Sequence, residues 1–247
     1  MTGPVAAGDT FHETCLDGLD EPVRRYFRHA LAPGAPLVPG MRLEMTGRVR
    51  AGLWMPFRGW WEGDGRRFRW HVTSGPFGVP LLRVVDRFEE RHGSMDIRLR
   101  PGLRLLHAED EDTTRSAAGR AAAEAMWAPA GLLPQLGVTW NAESDEVIVA
   151  AWDVPPERPQ LRLRIDAGGA VRTVSLLRWD SGRQGARGYI PCGGHVLENR
   201  RFGDVTIPSR VSIGWWYGTP RYKPFFEATV TAASPIAQPP SDALEAS

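Results

Sequence analysis

The sequence of 247 residues is poor in lysine and has no excess charge of either sign. Lys223 is the single lysine, and this disfavours mechanisms that depend on a Schiff-base lysine or a P-loop lysine. The 30 basic residues are balanced by 29 acidic ones, without the clustered positive charge of a nucleic-acid or polybasic membrane surface. We therefore expect a small molecule or another protein as the partner, and no nucleic acid.

Cysteines and long apolar runs are also scarce. Cys15 and Cys192 fit neither a disulfide framework nor a four-ligand zinc site. No stretch reaches the roughly 20 apolar residues of a membrane span. Residues 1–20 lack the basic and apolar segments of an export signal. These absences predict a cytoplasmic protein without a membrane span.

The standard catalytic and cofactor motifs are missing. We find no Gly-x-Ser-x-Gly elbow, Walker loop, dinucleotide glycine fingerprint or His-Glu-x-x-His motif. The six histidines form no pair at ligand spacing on a predicted helix. Four adjacent acids from Glu109 to Asp112 lack the glycine bend of a calcium loop, and they suit the positive end of a following helix dipole. We expect no metal and no cofactor.

Alternating apolar and polar residues predict a large antiparallel sheet. The period of two is clear over residues 43–49, 68–72, 95–99 and 161–165. Turn residues separate these stretches, and Asp166 to Gly169 has the composition of a hairpin. Polar residues occupy one face throughout, as in a sheet with one solvated side.

Two helices interrupt the strands. Asp20 is placed to cap a helix that has an apolar face from Val23 to Leu31, and an alanine-rich helix is predicted over Thr113 to Trp127. About ten strands and these helices predict a mainly β (α+β) fold. We expect a single large curved antiparallel sheet, an incomplete barrel covered by two or three helices, with a concave interior.

The chain has no internal repeat and no linker that divides it. We therefore predict one β half-barrel domain over residues 20–234, preceded by an N-terminal extension at 1–19. Residues 235–247 are rich in proline and are predicted to be disordered.

Several short motifs are shared with a known family, and they lie in two parts of the chain: Ser116-Ala117-Ala118-Gly119-Arg120, Trp127-x-Pro129, Leu132-Leu133-Pro134, Gly137-Val138-x-Trp140, Glu198-x-Arg200-x-Phe202, Ile207-Pro208-Ser209-Arg210 and Gly214-Trp215-Trp216-x-Gly218-Thr219. Together they resemble an uncharacterised bacterial family, common in actinomycetes and known only as a domain of unknown function. The resemblance extends from about Pro22 to Thr231 and brings no established activity. More remotely, the order of strands and helix is similar to the half-barrel of bacterial lipoprotein carriers, whose concave face implies a lipid-binding cradle.

Tryptophan is the most frequent aromatic residue, with ten copies against nine phenylalanines and four tyrosines. Such large rings either fill a core or line a cavity for an apolar ligand. In a strand, Trp215 and Tyr217 share one face and Trp216 lies on the other. The predicted ligand-binding residues are Trp60, Glu62, Trp70, Trp127, Trp140, Arg200, Trp215, Trp216 and Tyr217.

Three residues are candidates for moving a proton: Glu198, His71 and Tyr189. Glu198 and Arg200 are two residues apart, so on a strand they form either a positioned base or an ordinary ion pair on a wet face. The imidazole of His71 titrates near neutrality, although a strand histidine is often simply solvated. Tyr189 and Cys192 lie in a glycine-rich stretch that is either a mobile lid or an ordinary surface loop.

Three functions are consistent with these features. In the first, the hollow binds an apolar or lipid-like molecule, and arginines at its rim hold an acidic head group. In the second, a cofactor-independent enzyme of bacterial secondary metabolism, such as a cyclase, isomerase or hydrolase, uses the same hollow. In the third, the tryptophans only pack a solid core. A cavity distinguishes the first two functions from the third.

Overall fold

A computed structural model describes residues 9–75, 79–185 and 187–236 of the chain. In these residues, 13 antiparallel strands form one open sheet, and this confirms the predicted mainly β, incomplete barrel. The helices are α1 (Glu21–Ala30) and α2 (Glu111–Glu124), with short 3-10 turns at Glu13–Leu16, Ala125–Trp127, Pro129–Leu132 and Pro134–Leu136. The strands are β1 (Gly40–Ala51), β2 (Leu53–Gly63), β3 (Phe68–Ser74), β4 (Leu82–Glu89), β5 (His92–Leu99), β6 (Leu103–Ala108), β7 (Thr139–Ser144), β8 (Val147–Ala151), β9 (Gln160–Ile165), β10 (Val171–Ser181), β11 (Arg187–Phe202), β12 (Val205–Trp215) and β13 (Lys223–Ile236).

The strand order places the first and last strands side by side in the middle of the sheet. It reads β6-β5-β4-β3-β2-β1-β13-β12-β11-β10-β9-β8-β7. The first arm therefore runs from β1 out to β6, and the second runs from β13 out to β7. Helix α2 contacts β4 and β5 in the first arm and β10 in the second. Because one helix touches both arms, the sheet must curl around it.

The core fills the concave side of the sheet next to α1 and the 3-10 turns. Val23, Tyr26, Phe27 and Ala30 form the buried face of α1, as the helical spacing predicts. The indoles of Trp61 and Trp127 are fully buried, with ring centroids 5.5 Å apart at 67°, an edge-to-face geometry.

Two local predictions about helix ends are corrected by the structure. Asp20 occupies the N-cap position of α1, but its carboxylate accepts a hydrogen bond from Ala142 N (3.0 Å) on β7 and does not cap the helix. Helix α2 begins earlier than predicted because Asp110 caps it, accepting from Thr113 N at 2.7 Å. Its last three predicted residues form a 3-10 turn.

The predicted lid is also corrected. Tyr189 and Cys192 lie within β11, paired with β10 and β12, so this stretch is sheet and not a loop. The alternation expected through Trp216 is wrong as well, since β12 ends at Trp215 and Trp216 has φ 61°. Strand β13 continues to Ile236, and the rest of the predicted tail, 237–247, lies outside the described residues.

Close contact between α2 and the sheet depends on Gly93 of β5. A Cβ added there would lie 2.8 Å from both Thr114 Cα and Ala117 Cβ. We predict that Gly93→Ala destabilises the protein by about 1–3 kcal/mol through overpacking. Urea denaturation measures the effect. Gly102→Ala is the matched control in the β5–β6 turn, where an added Cβ meets no atom within 4 Å. Equal stabilities of the two variants would contradict this account of the contact.

Candidate functional site

A cavity of about 850 Å³ lies between the concave face of the sheet and α2. Its walls are largely apolar and come from both arms. Met95, Ile97 and Leu106 contribute from the first arm, and Val174 and Ile213 from the second. The hollow that the fold prediction requires is therefore present, and the solid-core alternative does not describe this region.

A buried ionic cluster connects α2 to β4 at the cavity. Arg120 of α2 forms ion pairs with Asp86 of β4 and with Glu124 one helical turn further on, the latter at 2.7 Å from Nε to Oε1. The other Glu124 oxygen accepts a hydrogen bond from Trp61 Nε1 at 2.7 Å. The Arg120 guanidinium carbon also lies 4.8 Å from the Trp70 ring centroid.

This cluster contains two carboxylates whose acidity is changed by burial. Burial raises the pKa of Asp86 and of Glu124 above ordinary carboxyl values, while Arg120 opposes the rise in both. Asp86 is also stabilised in its charged form by Arg178. The site therefore combines two arginines with two acids, Asp86 and Glu124, and each acid holds a proton more readily than an exposed carboxyl group does.

Arg178 of β10 presents a second cationic group to the cavity. Its Nε donates to the backbone oxygen of Ser116 at 2.9 Å, and its guanidinium carbon lies 4.9 Å from the Trp215 ring centroid. Its positive charge also favours the thiolate form of Cys192. Burial raises the pKa of the Cys192 thiol, so this cysteine is not an activated nucleophile.

Trp70 adds a hydrogen-bond donor that nothing in the described chain satisfies. Its side chain lines the cavity and is 6% exposed. Its Nε1 is buried and has no hydrogen-bond partner among the described residues. Unpaired buried donors are costly and uncommon, so this N–H is an unsatisfied group in the wall of the cavity.

The structure brings three of the predicted ligand-binding residues to this cavity: Trp70, Trp127 and Trp215. Trp215 stacks on Phe225, with centroids 5.7 Å apart, and both rings line the wall. Trp127 is 1% exposed and donates to the backbone oxygen of Pro208 at 3.0 Å.

Other predicted residues lie on the opposite face of the sheet or beneath α1. Trp60 stacks on His71, with centroids 4.3 Å apart, and both alternate with residues that face inward. Glu62 is buried and paired with Arg42. Trp140 packs edge-on against Phe27, with centroids 5.4 Å apart, and donates to Leu132 O.

The two predicted polar residues of β11 are exposed. The pairing register shifts at Glu198, which breaks the simple alternation assumed for this strand. Arg200 lies over the Phe202 ring at 4.9 Å. No ion pair joins Glu198 and Arg200 in the described part of the chain, and neither lines the large cavity.

Tyr189 and Tyr217 line a second cavity, of about 790 Å³, beside β10. The Tyr189 hydroxyl donates to Glu157 at 2.6 Å and accepts from Arg115 at 2.7 Å. The hydrogen bond to Glu157 raises the pKa of Tyr189, so the phenol stays protonated. Trp216 lines neither cavity, and its Nε1 donates to Gln184 O at 3.2 Å.

The charged residues of the large cavity were not among the predicted site residues. Arg120 and Glu124 are four residues apart on a helix, a spacing typical of exposed ion pairs. One signal was present: small residues flank both of them, including Ala117, Ala121 and Ala122, and these predict a helix face in close contact with other elements. Among the described residues, no group of three or more His, Cys, Asp or Glu side chains is placed to hold a metal ion.

This architecture, an open half-barrel with a ligand-sized hollow, can be compared with known proteins. The chain belongs to DUF6544, a family of unknown function whose model matches residues 9–228, and this confirms the family resemblance. No relative is found among the curated proteins. No helix in the described residues has both the length and the apolar composition that crossing a membrane requires. The cytoplasmic location stays a prediction.

Three solved structures show a distant likeness. A putative outer membrane lipoprotein-sorting protein domain from Vibrio parahaemolyticus is 10% identical, with a TM-score of 0.42, and the match covers 79% of this chain and 84% of that one. A LolA superfamily protein from Nitrosomonas europaea is 7% identical, with a TM-score of 0.47 and coverages of 88% and 93%. A DUF1329 family protein from Desulfovibrio piger is 12% identical, with a TM-score of 0.39 and coverages of 94% and 93%. At these scores the likeness carries no information on what this chain binds.

Removal of Arg120 tests the buried cluster. We predict that Arg120→Leu lowers the free energy of unfolding by about 3–5 kcal/mol at neutral pH, because two buried carboxylates lose their counter-charge. The deficit should shrink at pH 5. Both folded pKa values lie above the unfolded ones, so the folded state binds more protons and its stability falls as the pH rises through them.

Urea denaturation at both pH values measures this difference. Arg48→Leu is the matched control, since Arg48 forms an exposed pair with Glu227 at 2.6 Å. Its cost should stay within about 1 kcal/mol. A deficit for Arg120→Leu that is the same at both pH values would count against the raised carboxyl pKa values.

Proposed function

We propose that the chain binds an amphipathic small molecule, with an apolar body and an acidic head group, in the large cavity. The observation that carries the proposal is the combination of an apolar-walled hollow of about 850 Å³ with the guanidinium of Arg178 in its wall. The volume falls within the roughly 300–1,000 Å³ of ligand pockets.

The apolar body of the ligand is assigned to the side-chain surfaces of both arms. Trp215 and Phe225 provide a stacked aromatic wall, and Ile97 and Val174 provide aliphatic surface. Contact with such surfaces removes apolar area from water, and this gives affinity without requiring directional bonds. A lipid-like chain suits these walls better than a polar metabolite does.

The head group is assigned to Arg178. A guanidinium has five N–H donors, and Ser116 O accepts from only one of them. The remaining donors suit a carboxylate or phosphate oxygen.

Replacement of the aromatic wall tests the binding of the apolar body. We predict that Trp215→Ala weakens binding of a fluorescent fatty acid, measured by titration, by about tenfold, the equivalent of about 1.4 kcal/mol of lost apolar contact. Trp216→Ala is the control, since it removes a neighbouring indole that does not line the cavity. The proposal fails if binding and unfolding stability decline in parallel in both variants.

The head-group assignment is tested in the same assay. Arg178→Leu keeps apolar bulk and removes the charge, so it should abolish the preference of the protein for the fatty acid over the matching fatty alcohol. Absence of that preference in the unmodified protein would exclude Arg178 as the anion site.

A second candidate function is a cofactor-independent enzyme acting in the same cavity. The observation that favours it is the pair of buried carboxylates, Asp86 and Glu124, which line the cavity and whose raised pKa values let them hold a proton more readily than exposed carboxyl groups do. We therefore propose Asp86 and Glu124 as the proton-transfer residues instead of Glu198, His71 and Tyr189, because those three do not line this cavity.

Mass spectrometry of compounds that co-purify with the protein tests this candidate. An enzyme should convert the extracted compound into a product on incubation with fresh protein, and Asp86→Asn should abolish conversion while retaining binding. Recovery of the compound unchanged after incubation with the unmodified protein would leave binding as the function.

A further inference from the structure

Several turns of the sheet gather at the end where the large cavity opens. The cavity lining there includes Arg50 and Gly52 beside the β1–β2 turn, Ser181 at the end of β10 and Lys223 at the start of β13. Since neighbouring strands are antiparallel, residues 79–81 before β4 and the β5–β6 turn lie at this same end. The mouth of the cavity and these turns therefore face one direction.

The turns of the first arm carry exposed aliphatic side chains, which we call the apolar rim. It consists of Leu53, Val79, Leu81 and Leu103, with exposures of 79%, 51%, 40% and 64%. Large aliphatic residues gathered on protruding turns are unfavourable in water, and clusters of this kind mark interaction sites.

One member of the rim projects well beyond its neighbours. Pairing of β2 with β3 begins only at Phe57 and Ser74, so the β1–β2 hairpin continues past the end of β3. At about 3.3 Å per residue, Leu53 lies roughly 13 Å further out than Phe57. Trp54 follows Leu53, and its ring lies 4.9 Å from the Arg48 guanidinium carbon.

Positive charge accompanies the rim. Arg50, Arg83 and Arg100 are exposed, and Arg100 N donates to Leu81 O at 2.8 Å, which places that arginine beside the rim. The nearby acids Asp96 and Glu227 are each paired with an arginine. The apolar rim itself is therefore cationic, whereas acids and bases balance in the cavity lining, where Asp110 and Asp112 lie and Asp112 pairs with Arg187.

We propose that the apolar rim docks on a lipid bilayer that contains anionic lipids, with the cavity mouth turned toward the bilayer. Aliphatic tips enter the region between head groups and acyl chains, and the arginines attract anionic head groups. A second copy of the chain is the less favourable occupant, because like charges would meet across such an interface. This inference rests on the proposed function in one respect: the ligand is taken to enter the large cavity through the mouth that faces the bilayer.

Vesicle co-sedimentation in the absence of ligand tests the docking. The protein should bind vesicles containing one third phosphatidylglycerol, and it should bind pure phosphatidylcholine vesicles or high-salt samples more weakly. Leu53→Ser combined with Leu103→Ser should reduce the partition coefficient by about tenfold or more. Leu197→Ser, a change at a 52% exposed leucine of β11 away from the rim, should leave it unchanged.

Other outcomes would overturn the proposal. The proposal fails if the unmodified protein does not bind vesicles, or if the double variant binds them as well as the unmodified protein does. It also fails if sedimentation velocity shows that the unmodified protein is a dimer and the double variant a monomer. Thermal unfolding confirms that each variant is folded. Fatty-acid titration without vesicles separates the two hypotheses. If the unmodified protein binds the fatty acid but not the vesicles, only the docking proposal fails. If it binds the vesicles but not the fatty acid, only the proposed function fails.

Discussion

The position of α2 inside the curved sheet depends on one buried cation. Arg120 neutralises Asp86 on β4 and Glu124 on its own helix, and Glu124 in turn accepts the indole hydrogen of Trp61 on β2. Such clusters contribute little net stability compared with well-packed apolar groups, but they allow very few alternative arrangements. The cluster therefore fixes where the helix lies, and the space left between helix and sheet is the cavity.

Much of the fold follows from local sequence pattern. The period of two is strong in β1, β3, β5 and β9 because apolar side chains occupy one face of each strand and polar side chains the other, and α1 has a clear apolar face. Strands β4 and β6 were not predicted, since their apolar and charged residues do not alternate regularly. The lid prediction at Tyr189 failed because glycines there permit close strand packing: a Cβ at Gly194 would lie 1.9 Å from Ser212 O.

The site was less predictable than the fold. Periodicity shows that Trp60 and Trp61 face opposite sides, but it does not show which side encloses a ligand. That choice depends on the curl of the sheet, which brings β5 and β10 to the same helix across a long stretch of chain. The contact between Arg120 and Asp86 is equally non-local. Of the tryptophans named from the sequence, Trp70, Trp127 and Trp215 line the cavity, and whether they bind a ligand stays a prediction.

The central pairing of β1 with β13 also has a consequence for synthesis on the ribosome. Strand β1 emerges early, but its partner emerges only about 185 residues later, a delay of roughly 10–40 s at typical elongation rates. During that interval the nascent first arm exposes one long unpaired edge, with Met41, Leu43 and Met45 beside it. Until β13 is synthesised, that edge is therefore open to pairing with a strand of another chain.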